Sequence, residues 1–558
     1  MSLMGSLYIG VSGLQTSNNA LNTTAHNMSN LDTLGYTRQQ VAQATRLYNT
    51  IDKSGVNWKQ LGLGVTYSQT RQERDYFLDK NYRRESGRSA FYEVSYSAME
   101  EIEDIIGESY DGHAFSIAVT DLWTAVEELS KDPTASVNQN LFVTRAYEFV
   151  TKAAAVYNSL SEYQDNMNKT VASDVAKINE YAQQIEALNK QIARVEAGVE
   201  RANDLRDQRN YILDQLASMA SISYTEDMHG DVSVKLEGVD LVKGGHVNEM
   251  LLYTDPLTGF YTPYWKMLAG YKSDEFGNQY LPKENLVSCQ VFDLTRTISS
   301  DLNTDIGSLK STVLARGDHR ATAQEMKDIN NENEYVEGWY DTHISQSIIM
   351  NVQAEFDQLI NAVVTKINGI LSEAAELESA TYPNSTYLRD ASGKPYQLFE
   401  KIIDDGETYT LPDGTVVDAG WSIGNVTINM ELRQNPSLLS FRLTDSSEDN
   451  TTMEKLKNAF QETIYTLNPN VQTPVCFVDY YKNLVSQVAN SGAVFGDIME
   501  SQTQTTDSLC NAREQVVGVS SDEELTNMIM FQNAYNASSR YINVINEMLE
   551  HLLMTLGR

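Results

Sequence analysis

Cysteine is almost missing from this chain, with three in 558 residues. Cys289, Cys476 and Cys510 form no C-x-x-C pair and no metal-ligand spacing, and an odd number makes no closed disulfide framework. Positive charge is also short. Lys and Arg number 42 against 76 Asp and Glu, a formal charge of -34, and such a surface repels phosphate backbones, which argues against nucleic-acid binding. No apolar run approaches the ~20 residues that span a bilayer, so no membrane insertion is expected. The first basic residue is Arg38, leaving no positive n-region, and no small-residue cleavage site is evident. The expectation is a chain without a cleaved signal peptide.

Catalytic constellations are missing as well. The seven histidines are scattered and none sits in H-E-x-x-H. Gly10-Val11-Ser12-Gly13 is not a nucleophile elbow, because its helical context lacks the strand and turn. Gly62-Leu63-Gly64 lacks a third glycine and a following helix. Asp318-His319, near Glu332 and Glu334, is the one polar cluster beside a histidine, and it reads as a solvated loop. Nothing here calls for an enzyme, a cofactor or a metal.

What is present is length and periodicity. A chain of 558 residues exceeds one hydrophobic core, and several domains of ~100–150 residues are expected. At the start, Met4, Val11, Asn18 and Ala25 recur by sevens, with Leu7, Leu14, Leu21 and Met28 three places on. At the end, Met528, Tyr535, Ile542, Leu549 and Leu556 do the same, beside Phe531, Ser538, Ile545 and Leu552. Heptads of this kind give a helix one seam and require a partner helix. The assembly seam is therefore placed on Leu7, Val11, Leu14, Leu21 and Met28, and on Met528, Tyr535, Ile542, Ile545, Leu549, Leu552 and Leu556. The plainer alternative is two bundle helices packing within one monomer. Gly10, Gly13 and several polar residues weaken the first helix, so disorder of residues 3–28 before docking is expected.

Between the ends, residues 40–75 alternate as a hairpin region, and helix resumes over Phe77–Ile106. Amphipathic patterns follow over Asp121–Leu129, 137–196 and Asp204–Ser218. The period changes to two from Ile222, and 320–345 is polar loop. A helical stripe starts near Ser345, and Leu411-Pro412-Asp413-Gly414-Thr415 marks a turn. Helix returns after Pro474, breaks at Gly518, and restarts where Ser521 and Glu524 suit a capping box. The fold class is α+β multidomain, with terminal coiled-coil helices, discontinuous helical domains and nested β-rich insertions. The segments are 1–106, 107–221 continued by 345–374, a β-rich insertion at 222–344, a second at 375–470, and 471–558.

Leu7-Tyr8-Ile9-Gly10-Val11-Ser12-Gly13-Leu14, Ala25-His26-Asn27-Met28-Ser29-Asn30 and Gly35-Tyr36-Thr37-Arg38 resemble the N-terminus of bacterial flagellar rod, hook and hook-associated proteins. Three motifs narrow the resemblance to the hook-associated branch at the hook–filament junction. They are Gly35-Tyr36-Thr37-Arg38-Gln39, the run Asn203-Asp204-Leu205-Arg206-Asp207-Gln208-Arg209 after Ala202, and Asp522-Glu523-Glu524 with Phe531-Gln532-Asn533-Ala534-Tyr535. The resemblance covers roughly 1–220 and 475–558, and Leu34 departs from it where the family often has Pro. It implies unfolded export through the flagellar type III apparatus, which suits scarce cysteine, and a place in the extracellular flagellum. Implied partners are further copies of the chain in a ring or tube, the flagellar hook protein, the next hook-associated protein, and an export chaperone on the C-terminal helix. Alternatives are a hook or rod-type protein, or an added adhesin-like role for tyrosines of the middle such as Tyr253, Tyr261, Tyr264 and Tyr280.

Overall fold

The computed structural model describes residues 3–46, 48–54, 57–107, 115–198, 200–274, 278–330, 334–383, 385–403, 408–410, 416–418 and 420–556. In chain order its first elements are α1 (Leu3–Ser29), β1 (Gln39–Thr45), β2 (Tyr48–Ser54), β3 (Asn57–Gly62), β4 (Val65–Gln72) and α2 (Tyr76–Ile106). Then come α3 (Phe115–Lys131), α4 (Ser136–Glu196), α5 (Asn203–Met219) and the strands β5 (Ile222–Glu226), β6 (Val232–Leu236), β7 (Val239–Lys243) and β8 (His246–Val247). The middle holds β9 (Met250–Thr254), β10 (Tyr261–Trp265), α6 (Ser308–Arg316) and α7 (Ile348–Thr381). The chain closes with β11 (Phe399–Lys401), β12 (Val426–Ile428), α8 (Asn450–Gln461), α9 (Phe477–Val517) and α10 (Ser521–Leu556), with shorter pieces between.

The chain divides into two compact units. One comprises 1–89, 176–249 and 502–558, and the other 90–175 and 250–501. Both divisions of the expected helical domain 107–221 follow from this, since α4 crosses from one unit to the other. Three of the boundaries fall inside α2, α4 and α9 and the fourth between β8 and β9; an apolar stripe continuous along a helix gives composition no reason to change where packing partners do. The interval 375–470 also differs from a β-rich insertion. Besides short strand pairs it carries the 12-residue helix α8, whose Met453, Leu456 and Phe460 are buried. The turn expected at 411–415 lies outside the described residues.

In the terminal unit, β1 pairs antiparallel with β4 and β2 with β3. The strands β5, β6, β7 and β8 form an antiparallel meander in that order. Val232, Val234 and Leu236 point to the buried face of β6, as their alternation requires. In the second unit the front of α3 packs with α4, α7, α8 and α9 around one aromatic centre. Phe115 meets Phe356 and Tyr481 edge-on at centroid distances of 5.0 and 4.9 Å, a geometry that aligns ring edges with ring faces. Polar residues 320–345 are not only loop. Asp318 and Glu325 both hold His319 at 2.6 Å, and the pair keeps that imidazole charged, its pKa pushed up to about 10 although burial alone lowers it.

Two carboxyls are buried on α7. Glu355 accepts amide hydrogen bonds from Asn351, Asn468 and Gln487, yet burial raises its pKa to about 7. Asp357 accepts from the backbone N–H of Ala323 and Ile423 and is raised by burial to about 6. The folded chain therefore holds protons that the unfolded chain has released, so the stability they contribute is present at low pH and is lost as pH rises through 6 to 7. Urea unfolding of the full chain should weaken between pH 4 and 7 by at most roughly 1.4 kcal/mol per pH unit per carboxyl. Glu355→Gln should flatten that slope, whatever it does to absolute stability; an unchanged slope rejects the assignment.

Candidate functional site

Three stretches far apart in sequence meet within the terminal unit: the loop after α1, the start of α5 and the start of α10. Gly35 has φ +77, and a Cβ there would come within 3.0 Å of the Tyr211 side chain, so both backbone and packing call for glycine. Asn27 ends α1 buried. Its Nδ2 donates to the Gln39 carbonyl at 2.9 Å, and its Oδ1 accepts from the Gln39 N–H at 3.1 Å and from the Tyr36 hydroxyl at 2.8 Å. That side-chain amide does for Gln39 what a neighbouring strand would do, satisfying both backbone groups of a buried residue.

The charges are arranged around this loop. The Thr37 N–H donates to Asp207 Oδ2 at 3.0 Å, and Arg74 Nη1 lies 3.7 Å from the other oxygen. Burial raises the Asp207 carboxyl to about 6, with Thr37 and Arg74 opposing. Asp204 accepts from Gln39 Nε2 at 2.7 Å and lies 3.3 Å from His26 Nε2. The Tyr36 phenol is held above its usual pKa by burial, then by Asp204, Asp207 and Glu524. Arg38 closes the joint: Nε donates to Glu524 and Nη2 to Glu523, both at 2.9 Å, while its backbone N–H meets the Val517 carbonyl at 2.9 Å. Burial pulls that guanidinium pKa down, and the two glutamates more than offset it. Glu524, suited by sequence to a capping box, is 2% exposed and committed to Arg38.

The remaining motif residues act locally. Asn203 is buried and donates to Gln39 Oε1 and the Thr70 carbonyl, each at 3.3 Å. Arg209 is buried, donating to Asn189 at 2.9 Å and the Gly230 carbonyl at 2.6 Å, which ties α5 to α4 and to the turn before β6. Leu205 is half-buried. Sequence reasoning missed a further set, in which Arg513 reaches Asp79 at 3.0 Å and Asp214 at 2.6 Å, and Arg83 also reaches Asp214 at 2.6 Å. No spacing in a single sequence marks ion pairs whose partners are hundreds of residues apart.

The heptads fall differently on the two helices. α1 is a helix docked on α10, where disorder was expected, so the seam has a partner within the chain. A Cβ on Gly10 would lie 2.8 Å from Ile542 Cγ1, and one on Gly13 2.8 Å from Ser538 Oγ. Residue numbers fall on α10 as they rise on α1, so the helices run antiparallel. Leu7, Leu14, Leu21 and Met28 are half-buried. Val11 is 36% exposed, and Asn18 and Ala25 are exposed. The second column of the seam is instead Gly10, Ser17 and Thr24, all buried. Small residues let the backbones approach, which no count of apolar residues detects. On α10, Met528, Tyr535, Ile542 and Leu549 are half-buried, Ile545 is 3% exposed and Leu552 is 40% exposed. The Leu556 side chain lies outside the described residues.

This placement separates neighbouring substitutions. Gly10→Val should loosen α1 from α10 by about 1–3 kcal/mol, read as faster amide exchange over 5–28, whereas Val11→Ser should leave exchange unchanged. Arg38→Ala strands the buried Glu524 and should weaken the start of α10 on the order of 3 kcal/mol. Equal exchange in Gly10→Val and Val11→Ser would reject the register.

Several known proteins resemble this chain. Residues 99–274 match the family described as flagellar hook-associated protein FlgK helical domain. Residues 515–555 match the flagellar basal body rod FlgEFG protein C-terminal family, and 7–37 the flagella basal body rod protein family. Flagellar hook-associated protein 1 of Bacillus subtilis is 26% identical over 543 residues, 96% of this chain and 95% of that protein. That of Escherichia coli is 23% identical over 97% of this chain and 98% of its own length. The solved structure of the flagellar hook junction protein FlgK from Burkholderia pseudomallei aligns with a TM-score of 0.53 at 13% identity, over 78% of this chain and all of that one, which supports the fold. With the three motifs joined in one place and relatives aligned nearly end to end, this chain is similar over almost its whole length to flagellar hook-associated protein 1.

Proposed function

We propose that the chain is a structural adaptor of the bacterial flagellum, built into the junction between hook and filament through α1 and α10. It joins the hook protein on one side and the next hook-associated protein on the other, with further copies of itself beside it. It reaches the extracellular flagellum unfolded through the type III apparatus, and a chaperone covers α10 beforehand. The hook and rod alternatives and the adhesin-like role are not favoured by the likenesses.

The observation that carries this reading is the outer side of α10. While one side packs on α1, Ile529, Met530, Val544 and Met548 on the other stay 47–54% exposed. Apolar side chains repeated along one helix are covered when partners are present. An exported chain with such a face needs cover both before and after export.

Complementation in a flagellated bacterium that lacks its junction protein tests this. Full-length chain should restore attached filaments and keep flagellin out of the medium. A chain ending at Ser521 should not. Val544→Asp with Met548→Asp changes only exposed positions, so the monomer should keep its circular dichroism while attached filaments are lost. Filaments at normal number in the double variant would reject assembly through this face.

A further inference from the structure

A groove of about 720 Å³ opens in the terminal unit beside the loop that carries Leu34 and Tyr36. Its long sides come from α4 and α5. Gln184 and Gln191 line it from α4, and Gln208 and Gln215 line it from α5. Each pair is separated by seven residues, two helical turns, and therefore stands ~10.5 Å apart. Leu188 and Ile212 lie between the members of the pairs and also line the groove. The result is two rows of amides with apolar material between.

Amides in rows both donate and accept, and so does the backbone of an extended chain, which advances ~3.3 Å per residue and presents groups on both edges. Three residues of such a chain match the spacing of each glutamine pair. The charged lining sets the second requirement. Asp204 and Asp207 line the groove, and no Lys or Arg does. Asp204 is 61% exposed in its side chain, so it can still take a cation from outside. Tyr181 and Tyr211 add rings that accept the apolar stem and charge of a long basic side chain. A saccharide would also suit amides and tyrosines, but it leaves the anionic lining unanswered.

We propose that this groove binds an extended polypeptide segment bearing a lysine or arginine, with the cation on Asp204 and the backbone between the glutamine rows. The occupant is a segment of a different protein, one rich in Lys and Arg, as the acidic excess of this chain, with its formal charge of -34, favours. The groove takes only His26 from α1 and no residue from α10, so its binding and assembly through α10 are tested by different variants.

The test uses full-length chain as bait for phage-displayed random heptapeptides at low salt, and then fluorescence anisotropy with the enriched peptides after synthesis. Sequences with Lys or Arg should enrich, and binding should weaken as NaCl rises from about 0.05 to about 0.5 M. Asp204→Asn should weaken binding roughly fivefold or more. Ala187→Trp, at an exposed helical position on the groove wall, should abolish binding while circular dichroism stays unchanged, which keeps the test sound if Asp204→Asn disturbs its neighbours. No enrichment, enrichment without basic residues, or binding indifferent to Ala187→Trp overturns the proposal. So does a glycan array in which an oligosaccharide binds and is displaced by the same tryptophan, which would make the groove a sugar site.

Discussion

The terminal unit depends on one cation. Arg38 reaches two successive carboxylates at the start of α10 while its own backbone is held by Val517 at the end of α9. Acids in the first turn favour the helix dipole, yet Asp522, Glu523 and Glu524 in succession repel each other, and Glu524 is buried. A planar guanidinium with donors in two directions answers both problems where an ammonium would answer one. Because Arg38 sits directly after the Gly35 turn, the same residue fixes where α1 ends relative to where α10 begins. The seam between those helices inherits its register from that fixed point.

Around this cation the joint is built in layers of decreasing exposure. Asp204, half in solvent, holds His26 and Gln39; Asp207, buried, holds the backbone of Thr37; Asn27, most buried of all, holds both backbone groups of Gln39. Polar groups at such depth are costly unless partners are in place. This explains why the G-Y-T-R, N-D-L-x-D and D-E-E stretches occur as a set. The loop of the first stretch takes partners from both of the others, Asp204 and Asp207 on one side and Glu523 and Glu524 on the other.

That set was legible in the sequence as three motifs, but their meeting was not, because nothing in one sequence links position 38 to 524. Long helices were legible because 3.6-residue periodicity persists for dozens of residues. Where they end was nearly legible too: α5 starts at Asn203 and α10 at Ser521, close to the expected starts. Unit boundaries were hidden for the same reason the helices were clear, since α2, α4 and α9 keep one pattern while their neighbours change. The α1 seam was half legible. Leucines announce themselves at every seventh place, whereas a buried column of Gly10, Ser17 and Thr24 looks in sequence like a reason to doubt the helix.

That small-residue column has an energetic consequence. Burying glycine, serine and threonine removes little apolar area from water, and at about 25 cal/mol per Å² the column itself contributes little. What it supplies is closeness, which brings Leu7, Leu14 and Leu21 onto α10 and improves dispersion along both backbones. A seam of this kind holds the termini together with a modest margin and leaves other large apolar residues of α10, such as Met530 and Met548, facing outward. Had the column been leucine, α10 would sit farther off and the chain would satisfy more of its own apolar surface. The sequence keeps some of its large side chains on the side that α1 does not cover, so closing the monomer leaves that face of the helix still to be buried.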